Sequence, residues 1–361
     1  WCSTAPMTSA TRPSATSSPP SGCRWPGASR TPSRTCRARW SGARRSGSTS
    51  RAGRSCRTSR RSPVRSPAPT RTRSAAAARS STSSGERSAE RPEPDPMTIH
   101  PTAIVEDGAQ LADDVRIGPY AVVGAFVQLG AGVELGAHAV VGGHTTIGPG
   151  TRVFPHAVLG GEPQDLKYGG EPTRLDIGAR NTFREFTTAS CGTAHGGGVT
   201  RIGDDNLFMA YSHVAHDCRV GSHCVLANSV ALAGHVELGD RVVLSGLVAV
   251  HQYARIGRCA MVGGGGMVAQ DVPPFMIAQG DRAKLYGLNI VGLRRAGFDA
   301  DTVQALKRAY RAVFGHGRPL RIGMEQAREQ FSDVPEVGEL LAFIEASSRG
   351  VCRAAGDDTP A

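Results

Sequence analysis

From Val105 onward an aliphatic side chain recurs at every sixth position: Val105, Leu111, Ile117, Val123, Leu129, Leu135, Val141, Ile147, Val153 and Leu159. After one interruption the register resumes at Ile177 and Phe183 and breaks again near Ala189. It then runs from Ile202 through Phe208, Val214, Val220, Leu226, Leu232, Leu238, Leu244, Val250, Ile256 and Val262 to Val268. Gly often follows the aliphatic residue, as at Gly118, Gly130, Gly148, Gly203 and Gly257, and a small or β-branched residue stands four places after it, as at Ala121, Val127, Val133, Cys218 and Val236. A period of six matches neither the 3.6 of a helix nor the alternation of a plain strand. It suits a short strand and a tight turn repeated around a triangular coil. The first and fifth residues of each hexad then face inward, and Gly at the second place accommodates the corner backbone. Three hexads make a coil of 18 residues, and coils stack as a parallel solenoid whose neighbours bury one another's rungs.

Two interruptions break the register, Gly160 to Glu171 (G-G-E-P-Q-D-L-K-Y-G-G-E) and Ser190 to Thr200 (S-C-G-T-A-H-G-G-G-V-T). Insertions in a solenoid leave the coil as loops, and such loops tend to carry function. The pair Pro273-Pro274 is expected to end the solenoid, because Pro cannot donate to a ladder. Helical spacing follows around Leu288 to Arg295, Asp301 to Phe314, Met324 to Phe331 and Val337 to Ala346, with Asp299, Asp301 and Ser332 as candidate caps. The fold class expected is mainly β: a left-handed parallel β-helix over 97–273 with loops 160–171 and 190–200, followed by a small α-helical C-terminal domain over 274–361 with a frayed tail from about Gly356.

Composition changes the picture only at the N-terminal end. Residues 1–96 hold no Leu, Ile, Phe, Tyr, Lys or His, a single Val (Val64), and 19 Arg against four acids. Such a stretch has nothing to offset the loss of chain entropy, and disorder is expected. An organelle transit peptide and a basic tail for an anionic partner are two readings of it. The favoured one is that it is not native coding sequence, since the chain opens on Trp1 and a complete globular pattern follows Met97. The formal +11 belongs to this segment, because 97–361 carries 23 Lys+Arg against 27 Asp+Glu. The overall charge therefore gives no warrant for a nucleic-acid partner. No apolar run is long enough to span a bilayer and no signal peptide stands at Trp1 or Met97, so a cytoplasmic protein without membrane insertion is expected. Cys191, Cys218, Cys224, Cys259 and Cys352 show no paired spacing, so buried reduced thiols are expected rather than disulfides or a zinc ribbon.

The histidines His213, His216, His235 and His251 crowd the second half of the repeat. In an 18-residue register Asp217 lies directly under His235, and His216 occupies the third place of its hexad on an outward turn. An imidazole held by a carboxylate is a standard general base, and its ordinary pKa of about 6.5 suits the task. The spacing alone leaves two other readings open, a surface histidine bonded to turn carbonyls and a metal ligand.

Several runs together resemble one family. Met209-Ala-Tyr-Ser-His-Val-Ala-His-Asp-Cys218, Gly161-Glu-Pro-Gln-Asp-Leu-Lys167, Ala233-Gly-His235, Val250-His-Gln252, Val268-Ala-Gln-Asp-Val-Pro-Pro274 and Asn289-Ile-Val-Gly-Leu-Arg-Arg295 are similar to the bacterial UDP-N-acetylglucosamine O-acyltransferases of lipid A synthesis. The resemblance covers 97 to about 353. It implies transfer of a 3-hydroxyacyl group from acyl carrier protein to the 3-hydroxyl of UDP-N-acetylglucosamine by a homotrimer whose sites lie between subunits, with no cofactor and no metal. By resemblance His216 is the general base, Asp217 orients it, and the Gly234 amide is the oxyanion donor. His213, His235, Asp165, Lys167 and Gln252 would contact the sugar and diphosphate, Gln164 and His251 would help close the pocket, and Asn289 and Arg295 would hold nucleotide phosphate and the phosphopantetheine region. Gly264 matches the position that limits chain length, and Gly there implies an open groove and a long acyl chain, with Met267 nearby. Val291 and Ala296 depart from the family's pattern, where an acidic residue and a second Arg can occur.

The alternatives are a sibling that N-acylates an amino sugar, a coenzyme A acetyltransferase, a zinc carbonic anhydrase on the same solenoid, and a non-catalytic scaffold. The sibling usually has a separate preceding domain, which 1–96 cannot supply. The anhydrase's ligand pair is spaced further apart than His213-x-x-His216, and a scaffold has no need of the charged loop or the histidines.

Overall fold

A computed structural model describes residues 97–315 and 319–356. The expectations for 1–96 and for the tail beyond Gly356 lie outside these residues. Each hexad forms a strand, most of only two residues, and the strands line three faces of a prism, a left-handed parallel β-helix. Thr98–Ile99 opens the first sheet of eleven strands, Ile104–Val105 the second of nine, and Gln110–Leu111 the third of eight. Stacked strands pair in parallel, as in Arg116↔Glu134, Val123↔Val141 and Gln128↔Thr146. Rungs point inward as the pattern requires: Val123, Phe208, Leu226 and Leu244 have no exposed surface, nor do the fifth-place Ala121, Val127, Val133, Cys218 and Val236. Each buried aliphatic contributes about 1.5 to 3 kcal/mol, so the stack supplies the core.

The corner is built differently from the expectation. In most hexads the fourth residue takes the left-handed conformation, including Tyr120, His138, His156, Tyr211, Asp217, His235 and Tyr253, with φ of 57 to 64°. The second-place glycines are not left-handed; they let stacked backbones approach. A Cβ on Gly148 would lie 2.5 Å from the Gly178 carbonyl carbon, and one on Gly257 2.4 Å from the Pro274 nitrogen.

The first sheet also runs on past Pro273-Pro274. Val272 bridges Ile256 of the third sheet, and in the first sheet Met276–Gln279 pairs in parallel with Met261–Val262 and Lys284–Leu288 adds an antiparallel edge. The prolines sit in a corner, where no ladder N–H is needed. Among the described residues four helices follow: α1 (Ile290–Arg295), α2 (Ala300–Phe314), α3 (Leu320–Gln330) and α4 (Pro335–Glu345). Asp299 caps α2 by accepting the Thr302 N–H at 2.7 Å, whereas Asp301 lies in the first turn and Ser332 caps nothing, Val334 being the residue before α4. Arg258 pairs with Glu339 of α4 at 2.6 Å, and Val351 and Ala354 return to bridge Asp271 and Leu285, so the helical region is tied to the end of the coil. Among the described residues no helix is long and apolar enough to cross a membrane. Cys191, Cys218, Cys224, Cys259 and Cys352 are free and buried. Burial pushes the Cys218, Cys224 and Cys352 thiols up to about 12.

Candidate active site

Both interruptions emerge at one corner, where the chain passes from the second sheet to the third. The first lies between Val158–Gly161 and Arg174–Ile177, the second between Thr188–Ser190 and Val199–Ile202. They lengthen successive coils from 18 residues to 30 and 25. The turns of the next coils at this corner carry His216-Asp217, then Gly234-His235, then Gln252-Tyr253. Six-residue periodicity thus stacks side chains far apart in the chain along a single edge.

The imidazole of His216 is mostly buried, with 12% of its side chain exposed, and its Nδ1 lies 2.8 Å from Oδ2 of Asp217. A carboxylate oxygen only accepts, so Nδ1–H donates and Nε2 is left with its lone pair. The Asp217 side chain is 1% exposed. Its Oδ2 also accepts the Thr193 hydroxyl at 2.6 Å, and its Oδ1 accepts the Thr193 N–H at 2.9 Å. Two glycines make room for this dyad. A Cβ on Gly234, one coil above, would lie 2.5 Å from His216 Cε1, and one on Gly196 would lie 2.2 Å from the Asp217 carboxyl carbon. The Gly234 N–H donates no hydrogen bond among the described residues.

His235 meets His216 edge-on at 5.1 Å between centroids and stacks on Tyr253 at 4.3 Å. Burial holds its pKa below the ordinary imidazole value, outweighing the pull of Asp217, whose Oδ2 is 3.7 Å away. Burial, with the neighbouring His216, also lowers His213, whose Nδ1 is 2.7 Å from Thr188 Oγ1. In the first loop the backbone N–H of Lys167 donates to Asp165 at 3.0 Å and holds that carboxyl below its usual range, with His195 and His216 acting in the same direction. Asp165 Oδ2 meets His195 Nε2 at 3.2 Å, which ties the two loops together. The side-chain ligand atoms of His216, Asp217 and His235 lie within 4.8 Å of one another. Among the described residues they form a group of three that could hold a cation, although Nδ1 of His216 is already turned to the carboxylate.

A family profile described as UDP-N-acetylglucosamine O-acyltransferase, domain 2, matches residues 271–352, and a bacterial transferase hexapeptide profile matches 200–234. The acyl-[acyl-carrier-protein]–UDP-N-acetylglucosamine O-acyltransferase of Burkholderia thailandensis is 51% identical over 263 residues, spanning 71% of this chain and 99% of that protein. The enzyme of the same name from Burkholderia orbicola is 49% identical over the same lengths. The chain belongs to this O-acyltransferase family. The solved UDP-N-acetylglucosamine acyltransferase of Francisella novicida superposes with a TM-score of 0.70 at 34% identity, over 72% of this chain and 95% of that one. The Campylobacter jejuni enzyme does so with a TM-score of 0.68 at 42%, over 71% and 99%.

Within this single O-acyltransferase chain, the corner gathers Gln164, Asp165, Lys167, His213, His216, Asp217, Gly234, His235, His251 and Gln252. Gln164 and Lys167 are exposed, as are His251 and Gln252, and His251 Nδ1 donates to the Gln252 carbonyl at 3.1 Å. The remaining residues lie elsewhere. Asn289 is buried, and both polar atoms of its side chain are engaged: Nδ2 donates to the Cys259 carbonyl and Oδ1 accepts the Gly292 N–H, each at 3.0 Å, which caps α1 at a different corner. Arg295 is exposed in the last turn of α1. Gly264 lies on the corner between the first and second sheets, exposed, with ordinary van der Waals space around a Cβ (3.5 Å to the nearest atom). Met267 is 42% exposed. The pattern reading passed over Thr193 and His195. Both stand in the second interruption, T-A-H between Gly192 and the run Gly196-Gly197-Gly198, and a hydroxyl and an imidazole in a loop stacked on the histidine corner were the available signal.

Proposed function

We propose that the chain transfers a 3-hydroxyacyl group from acyl carrier protein to the 3-hydroxyl of UDP-N-acetylglucosamine, as a cytoplasmic homotrimer, with His216 as general base. Nε2 of His216 takes the hydroxyl proton while the sugar oxygen attacks the thioester carbonyl. The oxyanion that forms is met by the free N–H of Gly234, and preorganised donors of this kind make the large electrostatic contribution in acyl transfer. Collapse breaks the C–S bond, and the imidazolium returns its proton to the departing thiolate. Asp217 holds the ring and balances its charge. His213, His235, Asp165, Lys167 and Gln252 contact the sugar and diphosphate, and Gln164 and His251 close the pocket. A neighbouring subunit brings the exposed Arg295, while Asn289 serves by capping α1 beside it, and the exposed Gly264 leaves room for a long acyl chain beside Met267.

The observation that carries this reading is the buried His216-Asp217 dyad under a glycine whose absent side chain makes room for the ring. Self-association is supported by exposed apolar groups, Leu166 in the first loop and Leu247, Phe126 and Tyr211 on the prism's edges, each more than half exposed. The test is transfer from 3-hydroxyacyl carrier protein to UDP-N-acetylglucosamine. In His216→Ala kcat should fall by about 10²- to 10⁴-fold with the fold intact by circular dichroism; retained turnover would remove the base.

A further inference from the structure

We propose that Thr193 is a positioning residue for the reaction, the group that fixes the Asp217 carboxylate and through it the tautomer of His216. This rests on the reading of His216 as the base. Thr193 has no exposed surface, although it stands in a loop that leaves the coil. It spends both of its donors on one carboxylate: its N–H on Oδ1 at 2.9 Å and its hydroxyl on Oδ2 at 2.6 Å. Its Oγ1 in turn accepts the Gly196 N–H at 3.2 Å, closing the 3-10 turn Ala194–Gly196. Gly196 packs its bare Cα against the same carboxylate, in space a Cβ could not share. From the other side the N–H of Asp217 donates to Thr200 Oγ1 at 2.8 Å, holding a residue whose backbone is left-handed.

The consequence is directional. With the rotation of the carboxylate fixed, Oδ2 is presented to Nδ1 of His216 at 2.8 Å, and the proton stays on Nδ1. Nε2 takes no hydrogen bond from the described residues and keeps its lone pair for the incoming hydroxyl. If Thr193 only closed a turn, its hydroxyl would need the Gly196 N–H alone. The proton it donates to Asp217 is what links the second insertion to the chemistry. The insertion is therefore a brace for the dyad.

The experiment compares Thr193→Val, which keeps the shape and removes the donor, with Thr193→Ser, which restores it. In the valine variant kcat is expected to fall by about 10- to 100-fold, as for loss of a hydrogen bond to a charged group, with KM for both substrates within twofold. The serine variant should recover most of the rate. The imidazole ¹⁵N shifts of His216, assigned by their loss in His216→Ala, should report an Nδ1–H tautomer in the wild type and the serine variant and a mixture in the valine variant. An unchanged kcat in the valine variant, equal losses in both variants, or an unaltered tautomer in the valine variant would overturn the proposal. A wild-type protein inactive in the assay would overturn the functional reading instead, and the ¹⁵N shifts would still decide the role of Thr193.

Discussion

At the scale of single residues the site is a problem of burying polar groups without stranding them. Asp217 is tolerable in the wall of an apolar prism because Thr193 and His216 occupy its oxygens. For His213 and His235 the cost of burial falls on the charged form: burial depresses both, so the folded chain prefers them neutral. A histidine whose folded pKa lies below its unfolded value of about 6.5 keeps its full contribution to stability above that value and loses it as pH falls through the folded pKa. Stability should therefore decline on acidification below about pH 6.5, and His213→Gln should make the decline shallower. Urea midpoints at pH 7.5 and 5.5 check this; parallel declines in the wild type and the variant would show that His213 carries no such linkage.

At the scale of the element, one rung and one corner repeat, and a substitution is felt according to its place in the hexad. Leu226 sits between Phe208 and Leu244 with no exposed surface. Leu226→Ala should cost about 2 to 5 kcal/mol, whereas Ile104→Ala, at the outward place before the rung residue Val105 and 58% exposed, should stay within about 0.5 kcal/mol. Chemical denaturation measures both, and equal losses would contradict the burial pattern. The rungs were legible because burial imposes apolar residues at a fixed interval. The role of the second-place glycines was not: close approach of the next coil and a left-handed backbone both call for Gly, and only the stacked coordinates separate Gly148 against Gly178 from the turn residues at the fourth place. The extent of the first sheet was hidden for a similar reason. Proline forbids a ladder position but fits a corner, and a sequence does not mark which of the two Pro273 and Pro274 occupy.

At the scale of the whole molecule, the corner that carries His216 holds the dyad and both loops, while Asn289 caps a helix at another corner and Arg295 projects from α1. If subunits meet along these edges, residues that are distant in one protomer share a site. Co-expressing His216→Ala with Arg295→Ala should then return activity that neither variant has alone, and sedimentation should give three times the chain mass. A monomer, or mixtures no more active than their parents, would confine the site to a single chain.

The amino-acid sequence by itself determined the prism, its three faces and the edge on which the histidines stand, because a six-residue apolar period admits one way of burying its rungs and sets who stacks over whom. Only the tertiary structure decided how that edge is equipped. The path of a loop is not periodic, so the placement of Thr193 on Asp217, of His195 on Asp165, and of Asn289 away from the dyad follows from hydrogen bonds and close contacts between segments that no local pattern records.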